Sequence, residues 1–141
     1  MGWTFYNSSG QRLQAFGFVA ATQAEMEAAS SSTAYGSPGR THNHPGVAKV
    51  WVAWEQTDAH GILASYNMTS TTDGGVGDTD HLWDVDFSSA NYALAGFSQE
   101  NYIIHGRNDN RATTGITTVT KDNAGSAADS DENTLIVMGD Q

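Results

Sequence analysis

The chain has 141 residues, enough for one domain with a real core and short for two. Its net charge is -10, and its six basic residues (Arg12, Arg40, Lys49, Arg107, Arg111, Lys121) are scattered, so phosphate tracking along nucleic acid is disfavoured and an anionic membrane surface is repelled. No cysteine is present, which excludes a disulfide framework, a thiolate metal site and a Cys nucleophile.

Four Trp, five Tyr and five Phe supply large apolar bodies, so the chain is expected to fold. Met1-Gly2-Trp3-Thr4-Phe5-Tyr6 has no basic flank and no apolar signal region, and no run approaches the roughly 18 apolar residues of a membrane span. A soluble product of the cytoplasm is expected, and the sequons at Asn7 and Asn67 are read as chance.

In chain order, weak strand signals at Trp3 to Tyr6 and Arg12 to Val19 precede a helix signal. Thr22 and Glu25 have capping-box spacing ahead of Met26, Ala28 and Ala29, which predicts two helical turns or fewer. Ser30 to Thr33 and Ser37-Pro38-Gly39 then predict a loop. From Lys49 to Glu55, Val50, Val52 and Trp54 share one face while Trp51 and Ala53 take the other, so this strand is central or interfacial. Ile62 to Thr69 alternates as one half-buried strand, and Asp73 to Asp78 reads as a flexible hairpin loop. Further strands are predicted at Leu82 to Phe87, Tyr92 to Phe97, Tyr102 to His105, Ile116 to Thr120 and Thr134 to Met138. About eight short strands with turn clusters between them predict an all-β fold, an antiparallel β-sandwich or jelly-roll-like domain with one short helix, spanning residues 1–141 as a single unit.

Several side-chain groups admit a functional reading beside a plain one. His42 and His44 lie two apart, so on an extended segment they point the same way, and three chains meeting there would offer six imidazoles to a transition metal; an exposed polar turn before Pro45-Gly46 is the alternative. Asp73, Asp78 and Asp80 offer carboxylates for Ca2+ or form a solvated hairpin, and Asp129, Asp131 and Glu132 read as a charged loop before the last strand. No nucleophile elbow, zinc-protease or P-loop motif occurs. Asp84 and Asp86 form the one carboxylate pair with a glycosidase-like relation, against a plain strand whose other face holds Trp83, Val85 and Phe87. Trp54 is assigned to the core by parity. Trp51, sharing parity with Lys49, is the interface or ligand-stacking candidate, with Lys49 and Tyr35 beside it.

Ala21-Thr22-Gln23-Ala24-Glu25-Met26-Glu27-Ala28 followed by Ser37-Pro38-Gly39-Arg40 resembles a segment widespread in bacteriophage tail-fibre and related virion proteins. His44 to Val52, Ala64 to Ser70, Asp86 to Ala93 and the closing Gly139-Asp140-Gln141 are similar, in order and spacing, to the C-terminal domain of such proteins. The resemblance covers the chain from about Val19 onward. It implies a virion structural role in assembly or host attachment without a catalytic activity common to the class, often as a homotrimer.

Met1 precedes the similar region by only about two strand lengths, which points to a stand-alone subunit: a tail accessory, capsid decoration or head-fibre protein, made in the bacterial host cytoplasm. The expected partners are copies of itself, other capsid or tail proteins and host cell-surface glycan, with no nucleic acid, no membrane insertion and no cofactor beyond the metal at His42 and His44. A receptor- or glycan-binding module is the alternative, and a glycan hydrolase using Asp84 and Asp86 the third reading.

Overall fold

Period-two alternation builds most of the molecule. The computed structural model describes residues 8–10, 19–31, 34–99 and 102–141. Its strands are β1 (Ala48–Trp54), β2 (Ile62–Tyr66), β3 (Met68–Gly75), β4 (Asp78–Trp83), β5 (Ala93–Ser98), β6 (Ile103–Gly106), β7 (Gly115–Lys121) and β8 (Asn133–Met138). They form two four-stranded antiparallel sheets, ordered β2-β1-β8-β5 and β3-β4-β7-β6, packed as an all-β sandwich. The expectations at Trp3 to Tyr6 and Arg12 to Phe18 lie outside the described residues.

Between the sheets sit Val50, Val52 and Trp54 of β1, Leu135 and Val137 of β8, Trp83 of β4 and Ile116 of β7, joined by Phe87 and Tyr92. Trp83, Phe87 and Tyr92 pack edge to face or tilted, with ring centroids 4.7 to 6.3 Å apart. At the other end the core is polar and mutually bonded. Thr79 Oγ1 accepts from Trp54 Nε1 and Gln56 Nε2, while Gln56 Oε1 accepts from the Ser130 amide and Asn133 Nδ2. His81 lies within, 4.6 Å from the Trp54 ring and 2.9 Å from Thr118 Oγ1; burial, with a smaller contribution from nearby His60, pushes its pKa down to about 3.

The predicted helix is α1 (Gln23–Ala28), closed by the reciprocal Thr22 and Glu25 bonds of a capping box. Ser37-Pro38-Gly39, expected as loop, instead opens a single helical turn, α2 (Pro38–Thr41), because Pro at the first helical position is preset for it.

The run from Ile62 to Thr69 is not one strand. Asn67 takes a left-handed conformation (φ 57°) and sends β2 and β3 into different sheets. Its side chain fastens this corner: Nδ2 donates to the carbonyls of Lys49 and Val85, and Oδ1 accepts from the Val85 amide. The strand expected from Leu82 to Phe87 is instead β4 from Asp78 to Trp83, sharing only Leu82 and Trp83 with the expectation, and the same Asn67 bonds fasten the chain where it leaves the sheet after Trp83. The Gly-rich hairpin is tighter than expected, β3 running to Gly75 and turning on Val76 and Gly77. Gly77 has φ 75°, and a Cβ there would lie 2.5 Å from the Thr120 carbonyl oxygen.

Candidate assembly interface

In the β2-β1-β8-β5 sheet, Val50, Val52, Trp54, Leu135 and Val137 point inward, so their neighbours point out. The pairing registers place these outward residues in rows across the sheet. One row reads Tyr66, Trp51, Ile136, Ala95 from β2 to β5, and the next reads Ala64, Ala53, Thr134, Phe97. Beyond the first row lie Ala48, Met138 and Ala93. Trp51 is 41% exposed, Tyr66 46%, Ile136 45% and Phe97 68%. None of these outward positions carries a charge, on a chain of net charge -10.

Trp51, Tyr66, Ile136, Phe97 and Met138 are all exposed on this face, a contiguous apolar surface of the kind that marks interaction sites. One of its two edge strands, β2, has all five residues exposed and contains neither charge nor proline, the usual protections of an edge strand.

Trp51 is thus brought to the surface as predicted, beside Tyr66, with Trp54 fully buried. Lys49 is not on that surface. It sits where the pairing shifts between Ala48 opposite Met138 and Val50 opposite Val137, and this bulge turns it into the protein, fully buried. Its ammonium donates to the carbonyl of His42 just past α2, and burial lowers its pKa against the opposing pull of Asp140 and Glu27. Tyr35 is exposed and belongs to the bridge with Ala20, exchanging backbone bonds with Val19 and Ala21 rather than standing in the face rows.

His42 and His44 stand in the turns after α2, so the strand alternation that would align them does not operate. His42 Nδ1 is 3.4 Å from the Tyr66 hydroxyl, and His44 Nδ1 accepts from the Gly46 amide at 3.0 Å. Among the described residues no three His, Asp or Glu side chains gather as a metal-binding group. His42 joins Pro38, Thr41, Val47, Ala48, Trp51 and Tyr66 in an open groove of about 450 Å³ at the end of the apolar face.

Five of the candidate acidic side chains have structural partners. Asp78 pairs with Arg107 at 2.6 Å, Asp80 accepts from Thr117, and Asp73 accepts from the Gly75 amide. Asp129 accepts from the Gly77 amide and Asp131 from Thr57, which tie the segment before β8 to the β3-β4 hairpin and to the turn after β1. Asp84 and Asp86 lie exposed in the bend after β4, off the strand on which they were expected to share a side.

Residues that sequence reasoning did not single out are Tyr66, Ile136, Met138 and Phe97. The signal for them is bulk in both parities, since β8 sets Leu135 and Val137 against Ile136 and Met138 with no helix predicted to cover either side. No family model matches the chain, and the searches of curated proteins and of solved structures return no match either.

Proposed function

We propose that this protein is a structural subunit of a tailed-bacteriophage particle that works by assembly. The observation that carries this reading is the uncharged outer face of the β2-β1-β8-β5 sheet, an aromatic and aliphatic surface of the chemistry that proteins bury against partners. The virion setting rests on the likeness of the Ala21 to Arg40, His44 to Val52 and Asp86 to Ala93 segments to phage tail-fibre and virion proteins. Locating the chain in a density map of purified particles tests it: ordered copies on capsid or tail are expected, and particles complete without the chain would refute it.

A second reading is favoured by the groove, where Trp51 and Tyr66 stand side by side near His42, as aromatic platforms for sugar rings do. Binding on a glycan array that is lost in Trp51→Ala would favour attachment to a host surface glycan over assembly.

A further inference from the structure

We infer that the face described above packs against the same face of a second copy of this chain, in a two-fold pair and not in the homotrimer that the resemblance implies. The inference rests on the assembly reading and names the partner.

Each strand of the sheet contributes one large and one small residue in the two central rows. The pairs are Tyr66 and Ala64 on β2, Trp51 and Ala53 on β1, Ile136 and Thr134 on β8, and Phe97 and Ala95 on β5. Consider a two-fold axis lying between two such faces, running across the strands and passing between the two rows. Rotation about it leaves each strand over its own copy and exchanges the rows. Trp51 then lies over the partner's Ala53, Tyr66 over the partner's Ala64, Ile136 over the partner's Thr134 and Phe97 over the partner's Ala95. Large meets small in all four strands, so the face is complementary to itself, the requirement of an isologous interface. Sheets stacked face to face lie about 10 Å apart with their strands within about 30° of alignment, so the central β1 and β8 pairs depart least from this register.

Charge argues for the same partner. Two copies of net charge -10 repel over most of their surfaces, and this face brings no charged side chain to its central rows. Past the second row the next positions along the strands are Glu55, Glu132 and Gln99, which the two-fold sets over the row of Ala48, Met138 and Ala93 at the other end, so the contact has a mixed rim rather than an apolar one.

Sedimentation of the full chain over a concentration series tests this, using residue swaps within one strand. Trp51→Ala should weaken association by about 10-fold or more through loss of the ridge, and Ala53→Trp similarly by setting Trp against Trp. The double variant W51A/A53W restores large over small and should return to within about threefold of wild type. Ile136→Thr combined with Thr134→Ile repeats the exchange on β8 with β-branched residues throughout, and circular dichroism verifies folding of each variant.

Wild type remaining monomeric at about 100 μM, a species of three copies, or double variants no tighter than the singles would each overturn the inference. Occupation of the face by the chain's own residues 1–18 or by another virion protein would show as the monomeric outcome. Ordered copies in particles would leave the assembly reading standing in that case, whereas a two-fold pair absent from particles would refute that reading alone.

Discussion

The two sheets of this sandwich have the same number of strands, yet their outer faces are finished differently. Behind β3-β4-β7-β6 the protein covers its own sheet: Thr117 and Val119 of β7 point outward and are each only 7% exposed. Asn110 reaches back to Thr117, the Arg107 guanidinium spans to Asp78, and the segment from Asp122 to Ala128 folds onto β7 through the Lys121 and Ala127 bridge. What remains exposed there is mixed, Asp80, His105 and Leu82 among it. The corresponding inner strand of the other sheet, β8, leaves Ile136 45% exposed, and among the described residues no loop is bonded across it. The covered face completes the fold, and the bare face is the one the proposal assigns to a second copy.

The largest effect sharpening this contrast lies within β1. Trp54→Ala empties the core and breaks the bond to Thr79, and should cost about 3–5 kcal/mol in chemical denaturation. Trp51→Ala, three residues earlier and on the bare face, should cost under about 1 kcal/mol when measured at a dilution where the chain is monomeric.

Acid comes next, and acts on the core between the faces. His81 is held neutral in the fold with its pKa lowered from 6.5 to about 3, so its contribution is complete above pH 6.5 and is lost as pH falls from there towards 3. Stability should decline by up to roughly 1.4 kcal/mol per pH unit across that window, and His81→Gln should flatten the slope in a series of denaturant melts.

The smallest effects compare the faces directly. Ile136→Asp should weaken association by roughly 30-fold while Leu82→Asp changes it less than about twofold, both read by light scattering. Equal effects of the two substitutions would break the comparison.

The sandwich was legible because alternation and turn residues mark β1, β5, β6, β7 and β8 within a residue or two of their ends. Four features were not, each for a local reason, the first being β4, whose inward positions before Trp83 are the polar Thr79 and His81 and so show no apolar alternation. Asn67 interrupts an unbroken alternating run with one left-handed residue, whose effect depends on its partners Lys49 and Val85 from elsewhere in the chain. Lys49 has the parity of a surface residue, and the bulge that buries it is a property of the pairing with β8. Asp84 and Asp86 keep a strand-like pattern beyond the point where the corner ends the strand. Of the bare face, Trp51 was readable from its own strand, whereas the rows joining it to Tyr66, Ile136 and Phe97 required the registers across four strands.

The central claim, that one face is built for a partner and the other is not, is tested most directly by hydroxyl-radical footprinting of the full chain at high and low concentration. The account predicts that Trp51, Tyr66, Phe97 and Met138 become protected as concentration rises, while Leu82 and His105 on the opposite face label equally throughout. Labelling of Trp51 and Phe97 that stays unchanged with concentration, or protection falling on Leu82 and His105 instead, would contradict it.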